Sequence, residues 1–281
     1  MIESLETLRQ YLAFPFVQNA LAAGLLVALA AALLGVTLVL RRLSYIGDGL
    51  SHVAFGSMAV AGALQFADRL SLSLPVTAVC AVLLLRSGRG AKVRGDAALA
   101  MLSVGAMALG YLLMNVFPGS SNVSGDVCST LFGSTSILTL STSDVWICAA
   151  LSAGVALFFA LFRNRIFEIV FDPDFARACG TRTAFWETAL AVLSAVVVVV
   201  AMRLVGTLLV SALLVFPAVG AMRVCRSFLS ALLLSAATGM ACALAGILAS
   251  VVAGTPVGST VVAADVLALL ALSLAGRLRH R

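Results

Sequence analysis

Residues 191–202 read AVLSAVVVVVAM, with a single hydroxyl, no charge, and the nearest charged side chains at Glu187 and Arg203. A membrane-barrel strand alternates polar and apolar residues, which this run does not do. It belongs to a series of apolar stretches of about 20 residues, the length at which a helix crosses a bilayer. They recur along the whole 281 residues, of which 62% are hydrophobic and 11% charged. Soluble chains carry about 25% charged residues, and mean hydropathy here is +1.13. The expected fold is all-α, a polytopic helical membrane protein with one transmembrane domain over residues 1–281.

Outward from that run, nine spans are expected, near 16–40, 44–67, 70–86, 97–117, 137–162, 184–203, 205–222, 228–252 and 259–277. The count falls to eight if the spans meeting at Arg203 form one helix. The N-terminus, MIESLETLRQYLAFPF, begins acidic and lacks the basic start of a signal peptide, so the first span is expected to be retained. Net charge is +6 and the pI about 9.4. Of the 18 basic residues, all but Arg9, Arg69 and Arg203 lie at 41–42, 86–94, 163–182, 223–226 and 277–281. Those are alternate connections, which the positive-inside rule assigns to the cytoplasm along with the C-terminus, leaving the N-terminus outside. Charge spread over short loops in this way does not point to nucleic acid. Two connections are long: 118–136, expected outside, and 163–185, expected in the cytoplasm. The six cysteines have no CxxC spacing and are expected to pack as small hydrophobes.

The second span opens with YIGDGLSHVAFGSMA, residues 45–59. Counting from Arg42, Asp48 lies about 9 Å and His52 about 15 Å along the helix. Four residues apart, they share one face. Ionisable groups at membrane depth mark a polar path unless they are paired. The structural alternative is that Asp48 caps the helix and His52 bonds to a carbonyl. The chain has just two histidines, His52 and His280, which excludes HExxH and multi-histidine sites. One carboxylate and one imidazole are half of a transition-metal site, suited to zinc or manganese.

FDPDFARACG, residues 171–180, reads as a short cytoplasmic helix. Asp172 suits the N-cap, Pro173 the first helical position, Asp174 the positive helix end and Gly180 the residue past the C-cap. Such a helix is too short to be stable alone in water. Phe171 and Phe175 are apolar knobs on it, with Ala176 and Arg177 between them and its end, and a partner is expected to cover them, the alternative being that they fold back onto the protein's own helix ends. The only lysine, Lys92 in GAKVRG, does not fit a Walker A loop, so any ATP hydrolysis must belong to another chain.

RRLSYIGDGLSHVAFGSMA at 41–59 resembles the helix-two motif of the permease subunits of zinc and manganese ABC importers, the metal ABC-3 type permease family. Three further segments agree in order: LFGS at 131–134, FDPDFARACG at 171–180, and RLVGTLLVSALLVFPAVGAMRV at 203–224 followed by GTPVGSTVV at 254–262. The resemblance implies a type II ABC importer-like permease in the cytoplasmic membrane of a bacterium. It implies that Asp48 and His52 line the metal path and that the segment from Phe171 to Gly180 couples to an ATPase. The implied partners are a cytoplasmic dimer of ATP-binding subunits, a second copy of this permease or a close paralogue, and an extracytoplasmic metal-binding protein. No permanently bound cofactor and no enzymatic activity are expected. The transported ion is zinc in the first place, because an imidazole beside a carboxylate suits it, and manganese next.

Gly206, Ser211 and Pro217 are assigned to the pore or its gate, with Pro217 and Gly206 bending their helix. Asp265 is a second intramembrane acid, open to three readings: a metal ligand, a partner for Arg203, or an acceptor from a neighbouring hydroxyl. Two rival functions follow from the acids. One is a proton-coupled secondary metal transporter using Asp48 or Asp265 as relay. The other is an intramembrane aspartyl protease, which YIGD suits poorly because it lacks the first glycine of the GxGD motif.

Overall fold

The computed structural model describes residues 14–65, 69–87, 95–117 and 140–279. The LFGS segment, the 118–136 connection, His280 and most of the 86–94 connection lie outside them. The described residues form ten helices and no strand: α1 Pro15–Leu40, α2 Ile46–Ala63, α3 Arg69–Ser87, α4 Gly95–Val116, α5 Thr142–Phe171, α6 Pro173–Ala178, α7 Thr183–Val205, α8 Thr207–Val224, α9 Phe228–Ala253 and α10 Val257–Arg279. All except the short α6 correspond to the nine expected spans. Seven are long and apolar enough to cross a membrane. α2 is an 18-residue helix carrying Asp48 and His52, and the apolar part of α3 is Leu70–Leu84.

Local chemistry sets the helix ends. Pro15 sits in the first turn of α1. Ser141 with Asp144 and Ser227 with Ser230 form capping boxes at α5 and α9, each satisfying backbone N–H groups the helix leaves free. Gly206 has φ +92° and ψ 159°, a conformation open to glycine but not to a residue with a side chain. It ends α7 and starts α8 in one residue. The continuous helix considered at Arg203 is therefore absent, and Gly206 makes a break, not the expected bend.

α1 is the centre, packed by α5, α8 and α9. Its buried residues are mostly alanine and glycine, including Ala23, Ala28, Ala31 and Gly35, and small residues let membrane helices approach to backbone contact. A Cβ on Gly35 would collide with the Leu214 carbonyl oxygen of α8. A second bundle joins α2, α3, α4 and α7. Outward faces are apolar rows, such as Met101, Val104, Leu109 and Leu112 on α4 and Leu267, Leu270 and Leu274 on α10.

One end of the bundle gathers most of the basic connections. Arg41, just past α1, bonds to Glu187 near the start of α7 at 3.1 Å and to the Ile169 carbonyl late in α5 at 3.4 Å. The Phe167 and Phe228 rings bring the end of α5 to the start of α9, with centroids 5.6 Å apart. Gly276 lies against Arg223, joining the ends of α10 and α8. At the other end Asn19 donates to the Leu140 carbonyl at 3.2 Å. The alternation of charge along the sequence is thus a polarity of the folded chain.

Candidate functional site

Asp48 lies in the first turn of α2, but the N-cap is Tyr45 and no side chain caps it. The carboxylate turns to the side of the helix instead. Its Oδ1 is 3.4 Å from His52 Nε2, one turn on. Ser211, in the first turns of α8, points its Oγ at the same oxygen from 3.4 Å and at the Thr207 carbonyl from 3.0 Å. A hydroxyl has one proton, so Ser211 can serve only one of these at a time. Ser103 of α4 brings a second hydroxyl near the Asp48 carboxylate. Three helices therefore converge on one carboxylate.

The Asp48 side chain is 47% exposed and that of His52 15%. The contact with Asp48 sets the imidazole proton on Nε2, leaving Nδ1 with its lone pair. That atom is buried and has no partner. Neither half of the structural alternative is present: Asp48 caps nothing, and His52 bonds to no carbonyl. The arrangement offers a negative charge, a free imidazole lone pair and two hydroxyls to a cation in passing. No group of three or more His, Cys, Asp or Glu side chains comes together among the described residues, so this is an open half-site and not a closed cage.

Of the expected pore residues, Ser211 reaches the pair. Gly206 is the break between α7 and α8, and Pro217 is buried in α8, against α9 at Gly239. Ser103 was missed by sequence reasoning; its one signal is a hydroxyl inside an apolar span. Asp265 stands apart, 1% exposed, with neither carboxylate oxygen hydrogen-bonded. Its polar neighbour is the Cys242 thiol. Of its three readings, neither the pairing with Arg203 nor the bond to a hydroxyl is seen: Arg203 is exposed, and no hydroxyl reaches the carboxylate.

The segment after α5 forms α6. Asp172 Oδ1 accepts from the Asp174 and Phe175 backbone N–H groups at 3.2 and 2.9 Å. Pro173 opens the helix, and Arg177 lies 3.4 Å from Asp174. Gly180 takes φ +85° just past the end, and the Thr181 N–H bonds back to the Ala176 carbonyl. Ala176 is buried, which seats α6 on the bundle end. Phe175 is left 65% exposed and Phe171 60%, the Phe171 ring tilted against Phe167 with centroids 4.5 Å apart. Cys179 is exposed, against the expectation that all the cysteines pack inside.

Comparison with known proteins adds three findings. The family described as ABC 3 transport family matches residues 13–276. The manganese import system permease protein ScaB of Streptococcus gordonii is 28% identical over 92% of this chain and 90% of its own. The manganese transport system membrane protein MntC of Halalkalibacterium halodurans is 30% identical over 85% and 80%. A solved structure, PsaBC from Streptococcus pneumoniae in complex with Fab, superposes with a TM-score of 0.83 and 28% identity, covering 97% of this chain and 95% of that one.

Proposed function

Since this chain belongs to the ABC 3 transport family, we propose that it is the permease subunit of an ATP-binding cassette importer for a divalent transition metal. The observation that carries this reading is the convergence of His52, Ser211 and Ser103 on the half-exposed Asp48. Carboxylate and hydroxyl oxygens outnumber the single imidazole, and oxygen-rich sets suit manganese. The names of ScaB and MntC support the same ion. Manganese therefore moves ahead of zinc as the cargo, reversing the order expected from the pair alone. Selection by affinity at such an open site would favour zinc, so discrimination rests with a delivering protein outside the membrane.

The working assembly is two copies of this permease, or one with a close paralogue, and a pair of cytoplasmic ATP-binding subunits that cover α6. The basic end of the bundle faces the cytoplasm. Radiolabelled manganese uptake by right-side-out vesicles holding the full complex should require ATP inside them and survive collapse of the proton gradient. Uptake driven by a proton gradient without nucleotide would overturn the reading in favour of a secondary transporter.

Phe175 gives the second test. Its ring is an exposed apolar knob beside a capped short helix, the form of an interface anchor. Phe175→Ala should insert normally but lower recovery of the ATPase subunits with the permease by about tenfold. Unchanged recovery with unchanged uptake would remove α6 from the coupling path.

A further inference from the structure

At the basic end, a groove of about 420 Å³ opens beside the last turns of α5 and the start of α7. Arg165, Thr181 and Arg182 supply its polar lining, and Phe185 and Trp186 its aromatic lining. A second groove, of about 360 Å³, runs between α5 and α7 past Phe158, Ala189, Val192 and Val196. Phe185 borders both, so the two are neighbours.

Their depths differ in the way a bilayer requires. Counted from the first residue of α5 at 1.5 Å per residue, Phe158 lies about 24 Å along and Arg165 about 35 Å, on either side of the roughly 30 Å hydrocarbon thickness. Between them sits a ring cluster, with Trp186 4.8 Å from Phe162 and 6.1 Å from Phe158 between centroids. Tryptophan favours this headgroup level. Arg165 is held by Thr181 Oγ1 and Glu168, each at 3.3 Å. Arg182 is exposed and makes no ion pair among the described residues.

We propose that this two-part groove binds one anionic phospholipid, its phosphate on Arg182 and Arg165 and an acyl chain between α5 and α7. A guanidinium grips phosphate oxygens in a planar fork, and Thr181 adds a hydroxyl. Glu168 offsets part of the charge at Arg165, which leaves Arg182 as the main anchor. The inference rests on the membrane placement of the chain and not on which ion it carries.

The test uses the full-length permease, purified in detergent and delipidated, with native mass spectrometry reading bound lipid. Phosphatidylglycerol should be retained in preference to phosphatidylcholine, and the double variant Arg165→Gln/Arg182→Gln should retain it about tenfold less. Ala189→Trp, which fills the apolar groove and leaves the charge alone, should also lose it. Arg163→Gln, a nearby exposed arginine outside the groove, should not. Monodisperse elution of each variant shows that it is folded, and Arg182→Gln alone removes no internal contact should the double variant fail that check. Equal retention by all variants would overturn the site as ordinary annular lipid. Competition by millimolar inorganic phosphate, with Ala189→Trp silent, would reassign it to a free anion. Protection of the groove by the ATPase subunits in lipid-free detergent, with no lipid preference, would make it a protein contact.

Discussion

Asp48→Asn and His52→Ala should each reduce manganese uptake to background while expression and assembly stay normal. The physical reason is the shortage of substitutes. His52 is the one imidazole among the described residues, and Asp48 is the carboxylate that His52 and Ser211 reach, with the Ser103 hydroxyl nearby. A divalent ion shedding water inside a membrane needs a formal negative charge and firm ligands, because uncompensated charge in a low-dielectric interior is very costly. The Asp48→Asn change keeps the shape and the hydroxyl contacts but supplies no charge. Removing His52 takes away the free Nδ1 and strands nothing, since the Asp48 side chain is half open to solvent. Radiolabelled manganese and zinc uptake by both variants is the measurement. Wild-type rates in both would make the pair structural.

Gly35→Val should destroy the fold itself. Its Cβ would collide with the Leu214 carbonyl oxygen, and neither that oxygen nor the α1 backbone can rotate away. α1 would have to part from α8 and, with it, from α9. Overpacking a core usually costs about 1–3 kcal/mol, and a backbone collision at the central helix belongs at or above the top of that range. Gly154→Ala, in α5 with nothing within 4 Å of the added Cβ, is the control. Thermal shift of the purified protein should show little change for Gly154→Ala and no monodisperse peak for Gly35→Val. A stable, monodisperse Gly35→Val would mean that α1 and α8 are not packed as described.

Spans were legible in the sequence because a bilayer writes its thickness into runs of apolar residues, as between Ala191 and Met202. Their ends were less so. The fifth span was expected to stop at residue 162, yet α5 continues to Phe171. Lipid sets where hydrophobicity stops, but a helix stops where its hydrogen bonds do, here at Asp172 and Pro173. The Asp48–His52 pair stood out because charge is rare in such a chain and the two are one turn apart. Ser103 did not, since a hydroxyl inside an apolar helix is commonplace and only the fold brings it to Asp48. Arg41 and Glu187 are 146 positions apart, and no local pattern joins them. Asp265 was legible as an acid inside an apolar span, but its surroundings stayed open among three readings, because neighbours are not written in one dimension.

The single residue between α7 and α8 has a mechanical consequence. α7 begins at Thr183, a few residues past α6, and runs as an unbroken rod to Val205. At its far tip Gly206 is the only joint before Ser211 and its 3.4 Å reach to Asp48. A rod of 23 residues is about 34 Å long, so tipping it by roughly 5° about its base swings the tip by about 3 Å. That arc is as large as the reach itself. If α7 tips as a rigid rod, work done at its base would reach the touch on the carboxylate through that one pivot.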